Sequence, residues 1–122
     1  MAENTVTLCG QATRDSEITF ANSGTAIGSF GLAINSRKKD ASGDWVDGDP
    51  QFFEVKAFGD MAENIAESVL KGTRVIVTGR LNFQQWESKD DGSKRTKVEI
   101  IADEVGTSLR WATAQVTKIS KT

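Results

Sequence analysis

Residues Gln51–Trp86 read QFFEVKAFGDMAENIAESVLKGTRVIVTGRLNFQQW, and this stretch decides the predicted fold. Its two ends alternate between apolar and other side chains, as half-buried β-strands do, and its middle has the spacing of an amphipathic helix. We therefore predict a strand, a helix and a second strand at the centre of a small β-barrel. An exposed barrel face with aromatic and basic residues would suit single-stranded nucleic acid, which offers bases to stack and phosphates to neutralise.

The first of these strands, over residues 51–58, has two unlike faces. Phe53, Val55 and Ala57 form an apolar face that we expect in the core. The opposite face carries two aromatic and two charged residues: Phe52, Glu54, Lys56 and Phe58. That mixture is a poor core and a good stacking surface. Strands rich in aromatics usually bury them, so the alternative is that both outward phenylalanines pack under a loop or in a subunit contact.

The second strand, over residues 73–86, also divides by parity. Its apolar odd positions are predicted to face the core: Val75, Val77, Leu81 and Phe83. Its even positions are more polar and are predicted to face outward: Arg74, Ile76, Thr78, Arg80, Asn82, Gln84 and Trp86.

The helix between the strands has recognisable ends. Asp60 is the predicted N-cap, and Glu63 completes a pair that resembles a capping box. Lys71 is expected in the last turn, and Gly72 just beyond it in the left-handed conformation. An apolar stripe is predicted to close one end of the barrel: Ala62, Ile65, Ala66, Val69 and Leu70. Glu63 and Glu67 then form a solvated face and not a catalytic pair.

Length and composition indicate one globular domain over residues 1–122, with a core over about 5–105 and an extension over about 107–119. The sequence has no apolar run long enough to span a bilayer and no signal-peptide pattern, so we expect a cytoplasmic protein. It has no histidine and one cysteine, which excludes the usual zinc and haem sites and catalytic triads. Gly28–Gly31 lacks the spacing of a phosphate-binding loop. We expect no cofactor, no metal and no enzymatic activity; only carboxylate chemistry stays open, and nothing indicates it.

The net charge is −2 and the sequence pI about 5.2, which argues against nucleic-acid binding through bulk positive charge. The charges are, however, unevenly distributed: acidic residues concentrate in loops and on the helix. Basic residues fall on predicted strands or at a strand end: Arg37, Lys38, Lys39, Lys56, Arg74, Arg80, Arg95 and Lys97. A barrel that separates the two sets would have a basic groove.

The rest of the chain supplies three more strands and two hairpin arms. Thr5–Ala12 reads as a strand with a bulge or close backbone approach at Gly10, and Glu17–Phe20 resumes it. Ala26–Asn35 is the second strand, with Phe30, Leu32 and Ile34 inward and the small residues Ser29, Gly31 and Ala33 outward. Arg37–Pro50 is predicted to be a long arm containing Trp45, and Glu87–Lys94 a second hairpin. Arg95–Val105 is the last barrel strand, with Val98, Ile100 and Ala102 inward and Lys97, Glu99 and Asp103 outward.

This order is typical of an all-β OB-fold, a five-stranded Greek-key barrel with one helix between strands three and four. Thr107–Ile119 alternates weakly and is predicted to form an extra C-terminal strand, one that could clasp another subunit. Trp45 is either a stacking residue or a side chain folded back on its arm.

From Val6 to Val105 the chain resembles the bacterial single-stranded DNA-binding proteins. The matching stretches are Val6–Gly10, Asp15–Phe20, Phe52–Gly59, Leu70–Gly72, Val75–Leu81 and Trp86, and Ser108–Ala114 resembles the actinobacterial branch. The resemblance implies a homotetramer, built as a dimer of dimers, that wraps single-stranded DNA without sequence preference in replication, recombination or repair. It implies stacking by Phe52, Phe58 and Trp86, and phosphate contacts by Lys71 and the Arg37–Lys39 cluster. It also implies a subunit-linking role for the C-terminal extension.

Some residues depart from the family pattern. Lys38 stands where an aromatic is common, and Asn82–Gln85 replaces a usually basic segment, so we expect a lower affinity. The sequence given ends Ile119–Thr122 without the family's linker and acidic tip. It is therefore either a truncated form or a tail-less paralogue, and in the second case recruitment of partners through a tail is doubtful. Because the family's first strands pair across a two-fold axis, Cys9 could form an inter-subunit disulfide; the alternative is a reduced, half-buried thiol. The competing functional hypotheses are an oligomeric protein-interaction module or accessory paralogue with weak nucleic-acid affinity, and an RNA-directed OB-fold.

Overall fold

A computed structural model of the chain describes residues 4–120. It contains eight strands and one helix: β1 (Thr5–Ala12), β2 (Glu17–Phe20), β3 (Ala26–Ile34), β4 (Arg37–Lys39), β5 (Trp45–Asp47), β6 (Gln51–Phe58), α1 (Asp60–Ser68), β7 (Arg74–Glu87) and β8 (Lys94–Thr107). The predicted strand–helix–strand centre is therefore present as β6, α1 and β7.

Six strands form one sheet in the order β1-β7-β8-β6-β3-β2, and an additional β1–β3 pairing closes five of them into a barrel. All pairings in this sheet are antiparallel except that between β6 and β8. The sheet confirms the predicted OB-fold barrel. The smaller β4–β5 sheet confirms the predicted first arm.

Closure of the barrel depends on Gly10. Strand β1 pairs with β7 along most of its length and with β3 at Gln11 and Ala12. A Cβ atom at Gly10 would lie 2.3 Å from the carbonyl oxygen of Ala33, so only glycine permits this approach. The close backbone approach predicted at this position is confirmed.

The barrel interior contains the predicted apolar faces. Its largest buried side chains include Phe30, Leu32, Val55, Val75, Val77 and Ile100. Phe83 is an exception: 58% of its surface is exposed, and the prediction that it lies in the core is wrong. Val98, opposite Phe83 and also predicted inward, is only half-buried and lies outside the core cluster. Strands β7 and β8 continue as a hairpin out to the pair Glu87–Lys94. Phe83 lies on this projecting part, where the inward face of the strand has no core to cover it.

The ends of α1 differ from the prediction. Asp60 is the first helical residue, not the N-cap; Gly59 is the N-cap and no side chain caps the helix. The helix ends at Ser68, so Lys71 is not in its last turn. Ser16 binds carbonyls at this end: its amide donates to the carbonyl of Val69 (3.1 Å) and its hydroxyl to that of Ile65 (3.0 Å).

The apolar stripe of α1 still closes the barrel. Ala62, Ile65 and Val69 are buried, and Ala62 packs on Gly28 of β3, where a Cβ would lie 3.1 Å from the alanine. Leu70, predicted as part of the stripe, is exposed because it follows the helix end. Gly72 does have a positive φ (+89°), but in the turn that leads to β7.

The C-terminal extension forms no strand in the isolated chain. Within the described residues, the segment 108–120 contains no strand, and its apolar side chains are exposed: Leu109, Trp111, Val116 and Ile119. The predicted extra strand is therefore not formed by pairing within one chain. Lys121 and Thr122 lie outside the described residues.

Candidate nucleic-acid interface

Strands β3, β6, β8 and β7 place their outward side chains side by side, and we call this surface the outer face. Strand register fixes its rows: Trp86 lies opposite Arg95, and Gln84 opposite Lys97. The outer face comprises Ser29, Gly31 and Ala33 of β3; Phe52, Glu54, Lys56 and Phe58 of β6; Arg95, Lys97, Glu99 and Ile101 of β8; and Arg80, Asn82, Gln84 and Trp86 of β7.

Three aromatic side chains of the outer face are open to solvent. The exposed fractions are 67% for Phe52, 46% for Phe58 and 49% for Trp86. Burial of the two phenylalanines under a loop of the same chain is therefore wrong, whereas a subunit contact stays an alternative. Exposed aromatic faces of this kind suit sequence-tolerant base stacking.

A carboxylate lies beneath the outer face between two of its lysines. Glu99 Oε2 is 2.9 Å from Lys56 Nζ and 3.4 Å from Lys97 Nζ, and Gln84 Nε2 donates to Glu99 Oε1 (3.1 Å). Glu99 points outward as predicted, yet only 1% of its surface is exposed because its partners cover it. Burial alone would raise the pKa of Glu99, but the two ammonium groups outweigh that effect and hold it below its ordinary value. We call these four residues the Glu99 cluster.

Arg14 is a residue of this surface that the sequence analysis missed. Its guanidinium makes two hydrogen bonds to Glu54, at 2.7 and 3.3 Å, and this pairing raises the pKa of Arg14 above its ordinary value. Gly31 allows the approach, since a Cβ there would lie 2.2 Å from Thr13 Oγ1 and 2.9 Å from Arg14 Nη1. A groove of about 400 Å³ lies beside this pair and is lined by Phe52 and Lys97. Arg14 stands in a bend between strands, where periodicity carries no signal.

The first arm carries three cations and a tryptophan. Arg37 donates to the Trp45 carbonyl oxygen (3.2 Å), and Lys39 Nζ lies 5.4 Å from the centroid of the Trp45 ring. Trp45 is exposed but contacts its own arm, which favours the folded-back alternative within the single chain. Lys38 is exposed on β4.

Two of the remaining predicted cations, Arg74 and Lys71, lie away from the outer face. Arg74 begins β7, twelve positions before Trp86 or up to about 40 Å of extended strand, and its guanidinium lies 4.6 Å from the Trp111 ring centroid. Lys71 lies in the turn after α1, where its amide donates to Asp15 (2.8 Å). Arg80, by contrast, is exposed on β7 opposite Ile101, which in turn lies opposite Lys56, so Arg80 shares a row of the outer face with Lys56. The structure thus brings Lys56, Arg95 and Lys97 together with the three aromatics, and leaves Arg74 apart from them.

Two negative findings apply to residues 4–120. That range holds no cluster of His, Cys, Asp and Glu able to bind a metal ion, and no helix long and apolar enough to cross a membrane. Cys9 is a half-buried free thiol on β1 opposite Ile76.

Comparisons with known proteins agree with this geometry. Residues 3–108 match the sequence profile of the single-strand binding protein family. The chain is 45% identical over 120 residues to the single-stranded DNA-binding protein of Mycolicibacterium smegmatis, and the alignment covers 98% of this chain and 72% of that protein. It is 42% identical to that of Mycobacterium tuberculosis over 98% of this chain and 73% of the relative. The fold is similar to the crystal structure of the small single-stranded DNA-binding protein from Streptomyces coelicolor, with a TM-score of 0.77, 28% identity and coverage of 89% and 97% of the two chains.

Proposed function

The chain belongs to the single-strand binding protein family, and we propose that it binds single-stranded DNA without sequence preference through its outer face. The observation that carries this proposal is the grouping of Phe52, Phe58 and Trp86, all exposed, around three cations on adjoining strands. Bases stack on the aromatics and phosphates contact Lys56, Arg95 and Lys97. The chain acts by binding, without catalysis or a cofactor.

The two contributions differ in how they respond to salt. Stacking contributes about 1–3 kcal/mol per base and tolerates any base, because every base has a π-face. Phosphate neutralisation on single strands adds a term whose dependence on log[salt] has a slope of about −0.7 per contact. Arg37, Lys38 and Lys39 extend the phosphate path onto the first arm, and Arg80 lies at its margin in the row of Lys56. Lys71 lies apart, in the turn after α1, and would contact only DNA that continues beyond the outer face.

In the cell, this activity protects single-stranded DNA during replication, recombination or repair, which places the protein with the nucleoid in the cytoplasm. The relatives bear the name single-stranded DNA-binding protein, and this supports the assignment.

We also propose that the chain assembles into a homotetramer, as its resemblance to the family implies. The exposed apolar side chains of segment 108–120 support a clasp in which this segment pairs with another subunit. Light scattering of the full chain and of a variant ending at Thr107 tests this: the full chain should be tetrameric and the shortened one smaller. In such an assembly Cys9 would lie near a two-fold axis, where it is either one half of an inter-subunit disulfide or a reduced, half-buried thiol. A band that stays at monomer mass on a non-reducing gel would contradict the disulfide.

The competing function is an oligomeric protein-interaction module, favoured by the acidic pI and by the carboxylates that already pair with Arg14, Lys56 and Lys97. A double variant, Phe52→Ala with Trp86→Ala, separates the two functions. Our proposal expects loss of oligo(dT) binding by roughly 30-fold or more, since two stacking contacts are removed, with the oligomer intact. Phe83→Ala is the matched control, because it removes an exposed aromatic on the opposite face of the same arm. Equal affinities in all three proteins would favour the interaction module.

A further inference from the structure

The Glu99 cluster joins three strands beneath the outer face. Its carboxylate belongs to β8, and its partners come from β6, β7 and β8 itself. A charged carboxylate withdrawn from water persists only where cations or hydrogen-bond donors replace its hydration. The ion pairs with Lys56 and Lys97 provide that replacement, so both lysines are engaged before any DNA arrives.

Both lysines also stand where phosphates would pass. Lys56 lies between Phe52 and Phe58 on the outward side of β6, and Lys97 lines the groove beside Phe52. The exposed fractions of the two side chains are 33% and 45%, so both remain partly open to solvent. The cluster therefore presents two positive charges that share one negative charge.

We propose that Glu99 is an affinity-setting residue of the outer face, whose carboxylate competes with DNA phosphates for Lys56 and Lys97. The inference rests on the proposed function and deepens it. The cluster then offers a net charge of one to the DNA instead of two. Binding accordingly relies more on the aromatics and less on phosphate contacts, in keeping with a chain of net charge −2.

A purely structural role for Glu99 makes a different prediction. In that case, replacement would change the stability of the barrel, but the salt dependence of DNA binding would stay as it is. The decisive quantity is therefore the slope of log K against log[salt], which counts neutralised phosphates.

The test compares the full-length protein with Glu99→Gln, which keeps an acceptor for the lysines and removes the charge. The control is Asp103→Asn, the same change of charge at an exposed position on the same strand. Binding of a fluorescent oligo(dT) is measured from 50 to 200 mM salt. Glu99→Gln should steepen the slope by up to about 0.7, so that its affinity falls about 2.5-fold more than that of the wild type over this range. Asp103→Asn should match the wild type.

Equal slopes in Glu99→Gln and the wild type, or the same change in both variants, would overturn the inference and leave the proposed function standing. Absence of oligo(dT) binding by the wild type would overturn both. Circular dichroism establishes whether each variant is folded. Should Glu99→Gln not fold, Glu99→Asp replaces it: this variant withdraws the charge by one methylene group, and a smaller steepening is expected, with an unchanged slope again overturning the inference.

Discussion

The Trp111 ring lies over the guanidinium group of Arg74, with 4.6 Å between the ring centroid and Cζ. This contact joins the C-terminal segment to the start of β7, beside a groove that is also lined by α1. It engages Arg74 away from the aromatics of the outer face. Among the basic residues predicted from sequence to contact phosphates, Arg74 is therefore the one that its surroundings support least.

We expect Arg74→Gln to leave the affinity for oligo(dT) within about twofold of the wild type, whereas Arg95→Gln, opposite Trp86, should weaken it and lower the salt slope by about 0.7. Salt-dependent titrations measure both effects. A larger effect on binding from Arg74→Gln than from Arg95→Gln would contradict the assignment.

The contact between Trp111 and Arg74 should also protect the C-terminal segment from protease. In Trp111→Ala this cation–π contact, worth about 0.5–1 kcal/mol, is lost, so tryptic cleavage after Arg110 should be faster than in the wild type. Timed digestion measures it.

Replacement of Gly10 should destabilise the barrel. Gly10→Ala would bring a Cβ to 2.3 Å from a backbone carbonyl that the β1–β3 pairing holds in place. We expect a loss of about 1–3 kcal/mol in the free energy of unfolding, the usual range for overpacking. Gly106→Ala on β8 is the control, because a Cβ there meets nothing within 4 Å. Urea unfolding measures both; equal stabilities would show that β1 and β3 approach each other less closely.

Acid should weaken the fold through Glu99. Its pKa lies below the ordinary value in the folded state, so the charged carboxylate stabilises the fold above about pH 4.3, the ordinary glutamate pKa. That contribution is lost as pH falls through the lower folded pKa. The charged and polar groups that face Glu99 are Lys56 on β6, Lys97 on β8, and Gln84 and Asn82 on β7. Glu54, opposite Glu99 on β6, pairs with Arg14 instead.

The stability difference between the wild type and Glu99→Gln should therefore be largest at neutral pH and should shrink towards pH 3. Urea unfolding at pH 7, 5, 4 and 3 measures it. A difference that stays constant across this range would mean that Glu99 contributes no charge to the stability of the fold.

The sequence sufficed to predict the barrel and most of the outer face. The period of two in β6 separates Phe53, Val55 and Ala57 from Phe52 and Phe58 whatever the strand pairs with, and the structure follows it. Phe83 has the same period but lies beyond the barrel. Periodicity shows which face of a strand a side chain lies on, but it does not show how far along the strand the core extends.

The features that were missed depend on distant parts of the chain. Carbonyl groups at the end of α1 accept hydrogen bonds from Ser16, some fifty residues earlier, and no local pattern reveals these contacts. The burial of Glu99 requires Lys56 and Gln84 from two other strands. The segment after Thr107 has weak alternation and, within the described residues, forms no strand pairing in one chain. Its sequence pattern alone therefore does not determine its structure.

Tryptophan fluorescence tests the central claim most directly, because Trp86 and Trp111 belong to different parts of the molecule. Two single-tryptophan proteins are compared: one keeps Trp86 (Trp45→Phe, Trp111→Phe) and the other keeps Trp111 (Trp45→Phe, Trp86→Phe). On titration with poly(dT) at low salt, Trp86 should be strongly and saturably quenched as bases stack on it, and less so at high salt, while Trp111 should change little. No quenching of Trp86, or quenching of Trp111 alone, would contradict DNA binding by the outer face.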